Sequence, residues 1–388
     1  MGHYAELNAS RVVQRVVVAS DLAWVQANLT GTWVEVTKDT SDYRGIGYTF
    51  GVSNAPAPSG GDDTTALNAW ISAATARSIM SFQTNGSYRV DGTLTIDTKS
   101  KLTFLGNNAT LTATTTGDAA RCHVLVIDSD HITFKGLNIV GANPDPGVNG
   151  AGAQGLESQH GFTIKSSNNV TIDACTVTAP YADFVYMNWK TSGAAWATAV
   201  AITNCTFDGN GRQGIAVVAG DNIRIVGNSM TEVRRAWVDL EPNSVDGGAT
   251  NIEIAYNTIG THRLNGLASG GYGGNIGNVH VHHNSTITGE GWTVVIDPPD
   301  GAQRRGPFWF HDNVIDGAVG SDANPGAHWS FNATDDIRLE RNTVPVSANR
   351  NMVPFAFTGC TDIKANSNVC AGATTLYFID GVQRDDLP

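Results

Sequence analysis

The chain has 388 residues, with 36 acidic side chains against 24 basic ones, and its net charge of −12 argues against a nucleic-acid-binding surface. Its 43 glycines (about 11%, against a usual ~7%) and charged fraction of 15% exclude a coiled coil, a long-helix bundle and a disordered tail. They point instead to a turn-rich, repetitive β architecture. No run reaches the roughly 18 apolar residues of a spanning helix, so no membrane insertion is expected.

In chain order, residues 1–52 read as a small unit of their own. Met1 to Glu6 lacks a basic start followed by an apolar run, so no secretory leader is expected and synthesis in a cytoplasm is. Arg11 to Val18 is β-branched and predicts a strand. Ser20 and Asp21 can cap a short helix carrying Leu22, Trp24, Val25 and Leu29, with Gly31 as its stop. Trp33 to Val36 predicts a second strand, and Tyr43 to Tyr48 a glycine-bent return. Residues 53–61 are a linker by their Pro, Ser and Gly content.

Residues 62–388 open with a helix starting at Asp62-Asp63-Thr64, whose Leu67, Trp70, Ile71 and Ala74 form one apolar face. A lone amphipathic helix ahead of a long β region would cover the open end of a sheet stack. From about residue 100 a short apolar-polar-apolar unit recurs. Its sixth position reads Cys175, Cys205, Asn228, Asn257, Asn284, Asn313, Asn342 and Asn368. The spacing between the successive Asn is 29, 27, 29, 29 and 26 residues. A near-constant period of this size predicts a β-solenoid in which these side chains stack as an internal ladder, satisfying amides that would otherwise be buried unpaired. Cys175 and Cys205 share that column as small buried thiols. The odd count of five scattered cysteines does not make a secreted disulfide framework.

These repeats, with Gly60-Gly61-Asp62-Asp63-Thr64-Thr65-Ala66-Leu67 ahead of them, resemble the right-handed parallel β-helix proteins of the pectate-lyase-like superfamily, over roughly residues 58–380. The "GDDTTAL" start looks like that of bacteriophage tailspikes and tail fibres. The segment "GTWVEV" (31–36), with Tyr43 to Phe50, is similar to a short module of phage virion structural proteins. The resemblance implies an all-β right-handed parallel β-helix over 62–388, behind a small α+β or β attachment module over 1–52. It further implies a homotrimer, other virion proteins as partners through residues 1–52, and a location on an exposed appendage of the virion.

Candidate chemistry sits where the strand alternation turns polar groups outward. Aligning residues 235–243 with Gln213 to Val217 one coil earlier puts Val238 and Leu240 inside, and Trp237, Asp239 and Glu241 outside together. Residues two apart on a strand lie roughly 6.6–7 Å apart, and a carboxyl pair at that distance suits the acid and base of glycoside hydrolysis. Trp237 would offer a flat face to a sugar, and Arg212, in a nearby column one coil below, a cation for an anionic sugar or for a carboxylate. Three readings of Asp239 and Glu241 stay open: solvated residues at a strand end, ligand binding, and catalysis. Trp292, Asp297, Asp300 and Arg304 form a second candidate binding patch two coils on. His280 and His282 face outward together beside His283, but two ligands without a third predict no metal. No cofactor is expected either. The residues show no match to the calcium-binding carboxylates and basic proton abstractor of pectate lyases, so a hydrolase fits better than a lyase.

The expected function is that of a phage tail or spike protein binding a host surface polysaccharide, with or without degrading it. The alternative is a non-enzymatic structural virion protein (head fibre, baseplate or capsid decoration) using the β-helix as a rigid arm.

Overall fold

The computed structural model describes the chain apart from residues 1, 8–12, 20–31, 37–51, 192, 271–272, 288, 291, 298–303, 316, 319–326, 345–352, 371–375, 385–386 and 388. Contacts divide it into two units, residues 1–53 with 77–79, and the remainder. In the first, Gly2–Leu7 is the central strand of a three-stranded antiparallel sheet, between Val13–Ala19 and Thr32–Val36. The outer strands fall where β-branched residues predict them. The central one, Gly-His-Tyr-Ala-Glu-Leu, has no β-branched residue and gives no such signal. The helix expected from Ser20 and the return over 43–48 lie outside the described residues.

The second unit is a right-handed parallel β-helix. The strands of successive coils stack into three parallel sheets of 12, 12 and 8 strands; past Ser285–Thr286 the third continues as single bridges through Val314, Thr343 and Val369, and the first ends in an antiparallel pair, Tyr377–Ile379 with Val382–Arg384. In one coil, Ile215–Val217 lies in the first sheet, Ala219–Val226 in the second and Ser229–Thr231 in the third. The next coil repeats this with Val238–Leu240, Gly248–Ala255 and Thr258–Ile259. Apolar residues stack in register from coil to coil, as in Val185, Ile215, Val238, Leu267 and Val294, all fully buried. Stacking like on like removes these columns from water along the whole axis, the main favourable term in such a fold.

The turn from the second to the third sheet has a fixed form. The residue before each ladder position has positive φ: Ala174, Asn204, Gly227, Tyr256, His283, Asp312, Arg341 and Ser367. That bend drives the following side chain into the interior. There Asn228 Nδ2 donates to Asn257 Oδ1 at 3.1 Å, and the same bond joins 257 to 284, 284 to 313, 313 to 342 and 342 to 368 at 2.9–3.0 Å. Each Asn Oδ1 also takes the backbone N–H of the ladder residue one coil below, and Cys205 makes that bond to Asn228. All five cysteines are free thiols.

The helix Thr64–Ser72 closes the N-terminal end, with Leu67 and Ile71 buried in the core. Asn68 supplies what a further strand would have supplied. Its Nδ2 donates to Thr93 O at 2.7 Å and its Oδ1 accepts from Thr95 N at 2.9 Å, at the edge of the first sheet. Lys99 Nζ donates to the carbonyls of Ser72 and Ala74, near the helix C-terminus. Asn68→Ala is expected to cost about 1–3 kcal/mol by leaving a strand N–H and C=O without their partner. Thermal unfolding would measure it, and an unchanged midpoint would contradict this role.

Candidate active site

The strand Val238–Leu240 lies in the first sheet between Ile215–Val217 and Leu267–Ser269. Val238 and Leu240 point inward and are fully buried. Asp239 points outward between the small side chains of Ala216 and Ala268. Glu241 follows the strand, its N–H on Val217 O at 2.9 Å.

Trp237 departs from the expectation. Its side chain is fully buried, and its indole Nε1 donates to Met230 O at 3.1 Å. It precedes the strand, in the turn arriving from the third sheet, where two-residue alternation does not hold. The indole fills a corner of the core and offers no face to a sugar.

Around Asp239 the fold assembles a polar network that the sequence pattern did not reveal. His160, Asp183 and Gln213 stand in one column, two residues ahead of the first-sheet positions Phe162, Val185 and Ile215. Asp183, fully buried, lies 3.3 Å from His160 Nδ1 and accepts from Gln213 N at 2.8 Å. Arg212 bridges two carboxylates, reaching Asp183 at 3.0 Å and Glu241 at 3.1 Å. Gln213 turns its amide on Asp239, donating from Nε2 to Oδ2 at 2.6 Å, while its Oε1 accepts from Ala236 N. The His160 ring stacks on Tyr186, centroids 4.4 Å apart, beside the same strands. Arg212 is thus engaged by two carboxyl groups of the chain itself.

The electrostatics separate the carboxyl groups. Burial alone would raise Asp183, but the charge of Arg212, the neighbouring His160 and the Gln213 backbone N–H outweigh it and hold Asp183 below the usual carboxylate range. Asp239 has no such partner. Burial, then the charge of Glu241, push it up to about 7, against the opposing pull of Arg212. Glu241, paired to Arg212, keeps 20% of its side chain exposed, whereas Asp239 is 6% exposed. Burial and the charge of Asp183 push Tyr186 up to about 12, so its phenol keeps its proton. One nearly covered acid keeps its proton up to about pH 7, beside a more open carboxyl group fixed on an arginine.

Two segments flank these residues. The loop over 141–161 reaches the neighbouring turns through Val148 N on Glu232 at 3.1 Å and Arg234 Nε on Gly150 O at 2.9 Å. Beyond Glu241, the outer ring atoms of Trp189 and Trp196 pack against Gly247 and Gly248, so close that a Cβ on Gly248 would stand 2.2 Å from the Trp196 ring.

Among the described residues, the second patch does not come together. Trp292 is fully buried, its indole lying over Gly266, where a Cβ would stand 1.1 Å from the ring. Like Trp237, it sits ahead of its strand and packs into the core. Asp297 is exposed and occupies the column of Glu241 two coils on, roughly 10 Å along the axis. Arg304 turns away to pair with Asp335 at 2.6 Å and Gly359 O at 2.7 Å. Asp300 lies outside the described residues. Elsewhere, Tyr181 is buried, and Trp309 is exposed between the buried Phe308 and Phe310.

His280 and His282 face outward on the second sheet, and register brings His311 directly above His282. This third imidazole, one period on, is the residue that sequence inspection passed over. Burial and the neighbouring His282 and His311 push His280 down to about 4.

Residues 100–286 match the family described as right handed beta helix region. No curated protein matches the chain. Among solved structures, the chain resembles an endo-xylogalacturonan hydrolase from Aspergillus tubingensis, with 16% identity over 84% of this chain and 95% of that one and a TM-score of 0.61. It also resembles PfbA, a surface adhesin of Streptococcus pneumoniae, with 13% identity over 84% and 90% of the two chains and a TM-score of 0.55. A third likeness is to the tailspike protein of E. coli bacteriophage HK620 in complex with a pentasaccharide, with 12% identity, 84% and 62% coverage and a TM-score of 0.54. At these identities the likeness is one of fold.

Proposed function

We propose that the outward face of the first sheet around Asp239 and Glu241 binds a cell-surface polysaccharide and cleaves it by hydrolysis. The observation that carries this is the unequal carboxyl pair: an acid protonated near neutral pH two residues from a carboxylate held by Arg212. Asp239 would give its proton to the glycosidic oxygen as the bond breaks, and Glu241 would stabilise the positive charge on the sugar or activate the attacking water. Gln213 and Asp183 position the acid and the arginine. The "GDDTTAL" and "GTWVEV" segments support a phage appendage as the setting. On that reading residues 1–52 attach to other virion proteins, and the β-helix, as a homotrimer, meets the host glycan. The fold's occurrence in a polysaccharide hydrolase and in a glycan-bound tailspike is in keeping with this.

The test is incubation of the purified chain with a panel of host envelope polysaccharides, followed by reducing-end and ultraviolet assays. The reading predicts new reducing ends without the absorbance of unsaturated sugars. Unsaturated products would replace hydrolysis with elimination. A second reading, binding without cleavage, is favoured by the small exposure of Asp239, and tight binding with no new ends would establish it.

A further inference from the structure

The outer face of the second sheet carries a cluster of imidazoles that the glycan site does not use. Two neighbouring columns run across three coils. One holds Glu253, His280 and Trp309, and the other Ala255, His282 and His311. The turn beside them adds His283 and Asp312. The rings are packed against each other. His280 Nε2 and His311 Nε2 lie 2.7 Å apart, and His282 Nδ1 and His283 Nδ1 lie 3.0 Å apart. His282 and His311 are stacked within 4° of parallel. Four imidazoles this close are a costly arrangement for protonated rings, which repel, and a favourable one for neutral rings offering lone pairs.

We propose that His283, His311 and Asp312 form a binding site for a single divalent transition-metal ion of the zinc, nickel or copper type. One ligand atom from each of the three lies within 4.8 Å of the others, a spread that small side-chain movements would close around an ion. His283 is exposed, and His311 and Asp312 are half-buried, so the site is open to solvent.

The groups behind these ligands are placed as supporting partners of a metal site usually are. Arg341 grips both Asp312 oxygens at 2.8 Å, fixing the carboxylate, and His311 Nδ1 lies 2.7 Å from Asp312 Oδ2. The other nitrogen of His311 meets His280, whose ring stacks on Trp309 at 4.5 Å. His283 leans on Tyr256 at 4.9 Å and touches His282, which in turn contacts Glu253 at 3.3 Å. Glu253 is held by Arg224 at 2.7 Å. Nitrogen ligands with one carboxylate select zinc, nickel or copper over calcium and magnesium, which prefer all-oxygen shells.

The experiment is calorimetric titration of the tag-free full chain with zinc and nickel, with calcium as the control. One zinc or nickel ion per chain and no calcium uptake are expected. His283→Gln and His311→Gln should each weaken binding on the order of 10–100-fold or more, and the outer-shell His280→Gln by less. His280 and His311 lie on the outer face of the sheet and His283 in the turn beside it, and unchanged circular dichroism would show the variants folded. Absence of one-to-one binding, or binding that survives both ligand substitutions, would overturn the proposal.

Discussion

Asp239→Asn should abolish polysaccharide cleavage and, at the same time, stabilise the protein at alkaline pH. Loss of a general acid typically costs about 10²–10⁴-fold in rate. The asparagine keeps the shape and can still accept from Gln213 Nε2, so binding should survive. The stability effect follows from the raised pKa. The folded chain holds the Asp239 proton up to about pH 7, whereas the unfolded chain releases it near ~4. The contribution of the protonated acid is therefore complete below ~4 and is lost as pH rises through about 7, above which the wild type buries a charge. Asparagine carries no charge at any pH. The variant should match the wild type near pH 4 and exceed it at pH 8 by up to about 4 kcal/mol, the free energy of a roughly three-unit shift. Denaturant midpoints at the two pH values measure this, and a variant no more stable at pH 8 than the wild type would contradict it. Wild-type kcat/KM should likewise fall as pH rises above about 7.

The second large effect belongs to the ladder. Asn313 is fully buried; its Oδ1 accepts from the backbone N–H and Nδ2 of Asn284, and its Nδ2 donates to Val281 O and Asn342 Oδ1. Asn313→Ala leaves several of these groups buried and unpaired and opens a small void. A loss of about 3–5 kcal/mol is expected. Cys205 occupies the same column, yet its thiol makes only weak sulfur contacts, with Ile172 O, Thr203 O and the neighbouring Cys175. Cys205→Ala should cost about 1 kcal/mol. Equal losses in the two variants would show that the amide chain adds nothing beyond packing.

What could be read in the sequence was whatever repeats. The 26- to 29-residue period gave the solenoid, the ladder and the outward direction of Asp239, because each depends on register alone. Trp237 and Trp292 were misplaced because they stand one or two residues ahead of their strands, where the turn and not the alternation sets direction. His160, Asp183 and Gln213 were missed for a related reason. Their column lies in the irregular turn before the first sheet, and their contacts reach across coils 23 to 30 residues apart. Only the fold brings them onto Arg212 and Asp239. His311 differs: it lies one period after His282, within reach of the same register argument that placed the ladder.

The most direct test of the account is a crystal structure of the Asp239→Asn variant soaked with an oligosaccharide of the host polysaccharide. The account predicts a sugar ring over Ala268, with a glycosidic oxygen at residue 239 and Glu241 on the same sugar. Sugar bound only elsewhere, for instance on the second sheet beside Trp309 and Tyr256, would contradict it.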